Sequence, residues 1–271
     1  MSTTLAGLLA CFFYTYLAGW RWRNWHSTVS PTTPSTPHAL YIAIAVAALS
    51  LHGFSLYALI DTTAGFNFSF FRVSSLIFWV ICITVFASSF RLPLPILLPP
   101  FFVMTAISVL CSILIESPYT PHSLTYPQAL HILLSILSYS ILTIAAMQAL
   151  ALALQDHLLK TKQLQKVMAQ LPPLQTMEFL LFQMLWAGSV LLALSIASGL
   201  LFLQDILAQH LAHKMFFSFG ALLVYCILLW GRYRHGWRGK QAIRWTLGGF
   251  IALMLAYFGT KLVLEILLHS A

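Results

Sequence analysis

Long apolar runs, separated by short polar or proline-rich segments, dominate this chain. A helix needs about 20 apolar residues to cross the hydrocarbon core of a bilayer, whereas a spanning strand needs only about ten alternating residues. In lipid, continuous runs of helical length satisfy their backbone hydrogen bonds only as helices. The sequence therefore predicts an all-α polytopic membrane helix bundle, a single transmembrane domain over residues 1–271. The roughly eight predicted spans are about 3–20, 39–60, 69–90, 94–115, 128–154, 178–204, 215–231 and 245–268.

Composition excludes a single soluble core. Hydrophobic residues make up 60% of the chain and charged residues 7%, against about 25% charged residues in soluble domains. Water cannot wet the surface of so apolar a chain, so lipid must cover much of it. The net charge of +8 does not indicate nucleic-acid binding, because the basic residues lie in short loops between apolar runs, as membrane topology requires.

The basic residues also predict the orientation of the helices. With the N-terminus outside, the inner loops hold all but three of the 14 basic residues, the exceptions being Arg72, Lys214 and Lys261. The positive-inside rule then favours N-out and C-out. The apolar segment 3–19 has no basic residue before it, so we interpret it as a retained first helix rather than a cleaved signal peptide.

No motif of covalent haem attachment, disulfide exchange or conventional catalysis is present in the sequence. The four cysteines lie in separate apolar runs without C-x-x-C or C-x-x-C-H, and we interpret them as small packing residues. H-E-x-x-H, a Walker loop, a dinucleotide glycine pattern and a Ser-His-Asp order are also absent. The sequence therefore does not predict a conventional enzyme.

Histidines are the candidate functional residues. An unpaired polar group in lipid is costly, so histidines within or at the edge of a membrane are functional candidates by default. Two imidazoles from different helices form a bis-axial haem iron site, and imidazole also suits Zn, Cu or Ni. For each histidine, the alternative to a ligand role is interhelical hydrogen bonding or an interfacial position. Five of the ten histidines fall in the outer half of the predicted bundle: His52, His131, His210, His213 and His269.

A polar stripe follows His131 along the fifth predicted helix. Ser135, Ser138 and Tyr139 stand four, seven and eight residues after His131, so all four share one helical face. On a membrane helix such a stripe is expected to face the interior of the bundle or a cavity.

Residues 131–140, H-I-L-L-S-I-L-S-Y-S, resemble the H-x-x-x-S-x-x-S-Y-A helix of the cytochrome c assembly family, the CcsA-type and CcmC-type haem-handling membrane proteins. Residues 236–250 and 256–270 resemble the family's G-W-x-G-x-x-A…G-F…Y-x-G-x-N-L…L-H-S-Y ending. The likeness covers about 130–270 and, more loosely, 50–90. L-P-P-L-Q-T-M-E at 171–178 and L-L-W-G-R-Y-R-H-G-W-R-G at 228–239 are most similar to the YpjD-type inner-membrane subgroup.

This resemblance implies a noncovalent haem b site at the outer face with two axial histidines. His131 falls on the first ligand position and His269 on the second, while His52 falls near an intramembrane histidine of the family. Tyr139 belongs to the same motif as His131 and is a candidate cofactor-binding residue. The resemblance also implies a bacterial inner membrane and, as partners, haem and other cytochrome c assembly subunits.

The sequence departs from the family pattern in two places. Where the family has the Trp-rich segment W-G-x-Y-W-x-W-D-P-K-E, residues 203–214 are L-Q-D-I-L-A-Q-H-L-A-H-K. Where the family has L-H-T-R, this chain has L-W-G-R, so Trp230 stands in the place of a histidine. His210 or His213 is a candidate substitute ligand, without support from the family.

Three classes of function remain open at this point. The first is noncovalent haem handling through His131 and His269, which requires neutral imidazoles and should fail at acid pH. The second is a transporter, or its accessory subunit, for a divalent metal or small solute, with the histidines as metal ligands or proton relays. The third is a regulatory scaffold that contacts a cytoplasmic partner through residues 155–177. Haem absorbs visible light, which separates the first class from the others.

Overall fold

Helices make up nearly all of the chain that the computed structural model describes, namely residues 2–23, 37–90, 97–115, 121, 123–161, 172–202 and 212–259. Inside lipid this is the expected outcome, because each helix bonds its own backbone polar groups. The prediction of an all-α polytopic membrane bundle is confirmed. The helices are α1 Thr3–Arg23, α2 Pro37–Ile60, α3 Phe70–Ser88, α4 Leu98–Leu114, α5 Tyr126–Thr161, α6 Leu174–Phe202, α7 Ala212–His235 and α8 Lys240–Met254.

Six of the helices in these ranges are long and apolar enough to cross a membrane: α1, α2, α3, α5, α6 and α7. Helix α4 is apolar but has only 17 residues. Helix α8 has 15 residues and continues as a π-helical turn, Leu255–Gly259. The predicted number of crossings and the N-out, C-out orientation stay predictions.

Contacts divide the described residues into two compact units, the first up to Ser123 and the second from Leu124 onwards. In the first unit, α1 packs against α2 and α4, and α3 packs against α2 and α4. Gly7 of α1 allows this approach, because a Cβ at that position would collide with Ile113 and would lie 2.9 Å from Ser55 Oγ. Tyr14, Phe101 and Phe102 fill the centre of this unit and are fully buried.

A short hairpin joins α2 to α3. Strands β1, Asp61–Thr62, and β2, Gly65–Phe66, pair antiparallel, with Asp61 opposite Phe66 and Thr62 opposite Gly65. Gly65 has a φ of 120°, a conformation that side chains with a Cβ rarely adopt. The hairpin lies in the polar segment between the predicted spans 39–60 and 69–90.

In the second unit, α5 packs along α6 and also against α8, while α7 packs against α6 and α8. Two glycines bring these helices close together. A Cβ at Gly188 of α6 would lie 2.6 Å from Leu142 Cδ2 of α5, and a Cβ at Gly249 of α8 would lie 2.7 Å from Tyr225 Cε1 of α7. Small residues at helix contacts are typical of membrane bundles, because packing rather than the hydrophobic effect associates the helices there.

The turn between α7 and α8 is held by side chains as well as by its backbone. Gly236 and Gly239 have positive φ values of 67° and 53°, which glycine adopts without strain. Arg232 Nη1 donates to the carbonyl oxygen of Trp237 at 3.1 Å. The backbone N–H of Gly239 donates to Glu178 Oε1 of α6 at 2.7 Å, so a carboxylate lies at the positive end of the α8 dipole.

Candidate functional site

His131 of α5 lies against α6 and is held there through one ring nitrogen. Its Nδ1 lies 2.9 Å from the carbonyl oxygen of Ser195 and 3.1 Å from Ser198 Oγ. A carbonyl oxygen can only accept a hydrogen bond, so Nδ1 must carry a proton. In the neutral imidazole the lone pair is then on Nε2, which is the nitrogen with ligand chemistry.

Hydroxyl groups around His131 have consistent donor and acceptor roles. Ser198 Oγ donates to the Ser195 carbonyl oxygen at 2.8 Å, so it is an acceptor for the Nδ1 proton. Ser135 Oγ donates to the His131 carbonyl oxygen at 2.8 Å. Because that bond uses the single proton of Ser135, Ser195 Oγ is the donor in the 2.7 Å contact between the two hydroxyls. The network links α5 to α6 at the level of His131.

Gly199 leaves space for the imidazole of His131. A Cβ at this position would lie 3.1 Å from His131 Cε1 and 3.3 Å from Nδ1, which is tighter than ordinary van der Waals contact. The segment S-I-A-S-G at 195–199 thus supplies a carbonyl acceptor, a hydroxyl acceptor and an open position on one side of α6. Sequence reasoning did not identify these residues. The feature of the sequence that could have indicated them is a stretch of small and polar residues within an apolar run.

The rest of the polar stripe on α5 also faces neighbouring helices, as predicted. Ser138 Oγ donates to the carbonyl oxygen of Gly188 at 3.1 Å. The Tyr139 hydroxyl donates to the carbonyl oxygen of Leu253 at 3.1 Å, which joins α5 to α8. The ring of Tyr139 meets that of Tyr257, in the π-helical turn, at 5.6 Å between centroids. These contacts are structural, and a role of Tyr139 in binding a cofactor stays a prediction.

His52 of α2 lies in the first unit and is 1% exposed. Its Nδ1 is 3.3 Å from the Tyr14 hydroxyl of α1, and its Nε2 is 2.9 Å from Ser75 Oγ of α3. The Tyr14 ring meets the imidazole edge-on, with centroids 5.7 Å apart. Both ring nitrogens therefore connect helices in this arrangement, which fits the alternative of interhelical hydrogen bonding. The predicted role of His52 near a cofactor stays a prediction.

The side chains of three other candidate ligands lie outside the described part of the chain. His210 and His269 lie outside the described residues, and His213 lies in α7 but its side chain is outside the described part. Within the described ranges, no three His, Cys, Asp or Glu side chains come together as a metal site. Trp230, which stands where the family has a histidine, is 64% exposed on α7. Its indole therefore does not line the interior of the second unit.

Comparisons with known proteins identify the family of this chain. The sequence profile of the family described as Cytochrome C assembly protein matches residues 39–268. The inner membrane protein YpjD of Escherichia coli K12 is 36% identical over 231 residues, which are 83% of this chain and 87% of YpjD. Protein HemX of Bacillus subtilis is 28% identical over 131 residues, and protein HemX of Brevibacillus brevis is 26% identical over 131 residues; each match covers 48% of both proteins.

No solved structure matches the chain. The profile spans most of the sequence, and both the resemblance in residues 131–140 and that in residues 236–250 lie within the match. The apolar helices and the similarity to YpjD indicate a multi-pass protein of the bacterial inner membrane. This chain therefore belongs to the cytochrome c assembly protein family.

Proposed function

We propose that this protein handles haem in the bacterial inner membrane, binding haem b noncovalently through His131 and His269 and passing it to, or storing it for, cytochrome c assembly. Membership of the family supports the haem-related role. The observation that carries the residue assignment is the hydrogen bond from His131 Nδ1 to the Ser195 carbonyl oxygen. Other cytochrome c assembly subunits are the proposed partners.

The donor set at His131 fits a haem ligand. Histidines that bind metals almost always donate their second ring N–H to a carboxylate, a backbone carbonyl or water, which fixes the tautomer and raises the basicity of the ligating nitrogen. His131 has the hydrogen-bond half of this arrangement, since Nδ1 donates to the Ser195 carbonyl oxygen, and Nε2 is the nitrogen that we propose would bind iron. When bound, haem would supply a redox-active iron, and the hydrogen bond at His131 Nδ1 would tune its potential.

His269 enters the proposal from the sequence resemblance. It lies one residue beyond the part of the chain that matches the family profile and outside the described residues. Glu265 stands four residues before it, the spacing at which a carboxylate on a helix reaches an imidazole and orients it. His52 is assigned a different task, which is to connect α1 and α3 to α2 through Tyr14 and Ser75.

The test is the reduced-minus-oxidised visible spectrum of the full-length protein, purified in detergent after supply of haem. The variants are His131→Ala and His269→Ala, each alone and together. His235→Ala is the matched control, because it removes an exposed imidazole at the end of α7. We expect a bis-histidine haem b spectrum in the wild type and the control. Each single variant should lose it or shift it to one axial histidine.

A colourless wild type would overturn the proposal, as would a double variant whose spectrum equals that of the wild type. In the first case, metal analysis of the same preparation would test the alternative of a divalent-metal transporter. The spectrum should also disappear on acidification, because a protonated imidazole cannot bind iron.

A further inference from the structure

Helix α8 has a buried face and an exposed face, and the exposed face has cations at one end only. Buried residues are Ala242, Ile243, Thr246, Gly249 and Leu253, which pack within the second unit. The exposed positions recur at intervals of three or four residues and so lie on one side of the helix. The series is Lys240, Arg244, Gly248, Ile251 and, in the π-helical turn, Leu255; Gln241 is exposed next to Lys240.

In the described part of the chain, the two cations at the start of this face are not paired with an acidic side chain. Neither Lys240 nor Arg244 forms an ion pair with any acid in the described ranges. The sequence contains no Asp or Glu between Asp205 and Glu265. Glu178, which approaches from α6, already accepts the backbone N–H of Gly239. The start of α8 therefore has two exposed cations that no acid in the described ranges pairs with, beside one carboxylate, that of Glu178, which bonds to the backbone at Gly239.

Beyond the cations the face becomes open and apolar. At Gly248 nothing lies within 4 Å of the position that a Cβ would take, so the backbone is accessible there. Ile251 is 59% exposed and Leu255 is 46% exposed further along the same face. A charged end, an open glycine and an apolar stretch, in that order, match the headgroup and acyl chain of a single phospholipid.

We propose that this face of α8 binds one anionic phospholipid, with its phosphate at Lys240 and Arg244 and an acyl chain over Gly248 towards Ile251. Charge complementarity selects the occupant, since clusters of Lys and Arg at the membrane surface attract anionic headgroups. A zwitterionic lipid offers the same phosphate but carries an ammonium group that the two cations repel, so it gains less from them. A free phosphate gains nothing from the apolar stretch. The site is independent of haem and of His131.

Binding is measured by native mass spectrometry of delipidated full-length protein in detergent, titrated with phosphatidylglycerol or with phosphatidylcholine of the same acyl chains. We expect the wild type to prefer phosphatidylglycerol by at least about tenfold, and Lys240→Gln/Arg244→Gln to reduce the preference to within about twofold. The matched control is Arg21→Gln/Arg23→Gln, which removes the same charge at the end of α1. The control should retain the wild-type preference.

Gly248→Leu separates a lipid from a free anion. It fills the open position without changing charge, so it should weaken binding of phosphatidylglycerol while leaving the binding of inorganic phosphate unchanged. Loss of lipid binding only in the charge variant, with Gly248→Leu equal to the wild type, would overturn the lipid assignment in favour of a free-phosphate site. Equal binding of the two lipids by the wild type would overturn the proposal altogether.

A second measurement uses only the wild type and does not depend on the folding of any variant. Bound lipid stabilises the folded state, so phosphatidylglycerol should raise the midpoint of thermal unfolding more than phosphatidylcholine does. Salt screens exposed charges, so the difference between the two lipids should shrink as sodium chloride is raised to about 0.5 M. A difference that is absent, or that salt does not change, would contradict the assignment to Lys240 and Arg244.

Discussion

A single residue, His131, shows how the fold sets the chemistry of a side chain. The imidazole belongs to α5, but the group that fixes its tautomer is the carbonyl oxygen of Ser195 on α6. Sequence reasoning selected His131 from its place on a polar stripe and from the family motif. It did not select Ser195, because a backbone carbonyl has no signature in a sequence and its position depends on how two helices pack.

Gly199→Ala tests whether space beside His131 matters for the cofactor. The new Cβ would lie 3.1 Å from His131 Cε1, so the ring would have to move by a few tenths of an ångström from its bonded position. We expect haem affinity to fall by about tenfold or more, as is typical of changes beside a metal-bound histidine. Ala has a more favourable helix propensity than Gly by about 1 kcal/mol, so the substitution should not destabilise α6. A loss of haem would therefore not result from a weaker helix. Haem titration followed by visible absorbance measures the effect.

Gly220→Ala is the control for this substitution, since nothing lies within 4 Å of the position of a Cβ at Gly220 on α7. It should bind haem as the wild type does. If Gly199→Ala also binds haem like the wild type, the close contact with the imidazole has no functional consequence.

His52→Ala tests the hydrogen-bonding role of the buried imidazole. The substitution leaves the Tyr14 hydroxyl and Ser75 Oγ without their partner and removes volume from the first unit. We expect a loss of about 2 kcal/mol in unfolding free energy, measured by denaturant titration in detergent, with the haem spectrum retained. Ser75→Ala, which removes one of the two bonds, should cost about 1 kcal/mol.

The two roles considered for His52 give different spectra. A ligand role requires that His52→Ala alters the haem spectrum of protein that remains folded. A change of that kind would contradict the structural assignment and return His52 to the cofactor site.

At the scale of helices, small residues determine how closely the helices approach. The fully buried ring of Tyr225 on α7 lies over Gly249 of α8, where a Cβ would come within 2.7 Å of the ring. The neighbouring Gly248 faces open space. Of these two consecutive glycines, only Gly249 lies where a larger residue would collide with a neighbouring helix. The sequence G-G-F alone does not distinguish them.

Comparing the stability of Gly249→Ala with that of Gly248→Ala tests whether α7 and α8 need a glycine at position 249. Gly248→Ala is the control. Gly249→Ala overpacks a rigid aromatic ring and should destabilise the protein by about 1–3 kcal/mol. Gly248→Ala meets no atom and should be neutral, or stabilising by up to about 1 kcal/mol, because Ala favours the helix. Thermal unfolding of both variants in detergent shows the difference. Equal stability of the two variants would mean that α7 and α8 adjust to the extra methyl group.

A membrane span and the helix that contains it need not end at the same residue. The apolar run predicts a fifth membrane span over about 128–154, and α5 contains this span and continues beyond it, over Tyr126–Thr161. Hydropathy marks where a chain leaves lipid, but the backbone hydrogen-bond ladder continues through polar residues that favour helix. Asp156 and Lys160, which form an ion pair one turn apart, support this polar extension of α5. The Pro172–Pro173 pair precedes the start of α6 at Leu174, as expected for a helix start.

At the scale of the whole molecule, the distribution of basic residues predicts which side of the membrane each loop faces. The packing of the helices does not determine this orientation. With N-out and C-out topology, alkaline phosphatase fused after Ala271 should be active and a fluorescent protein at the same position should be dark. The opposite result is expected for fusions within 162–171 or at Gly236, which are assigned to inner loops. An inactive phosphatase at the C-terminus would contradict the positive-inside assignment.

By itself the sequence determined that the chain is a helical membrane protein of the cytochrome c assembly family with His131 as a candidate ligand. These properties are local: apolar run length, loop charge and motif residues can each be seen along the chain. Only the tertiary structure decided that Ser195 fixes the tautomer of His131, that His52 bonds to Tyr14 and Ser75, and that Trp230 is exposed. The physical reason is that in lipid the helices are equally apolar on most sides. Their rotation and partners therefore follow from close packing at small residues and from hydrogen bonds between residues distant in the sequence.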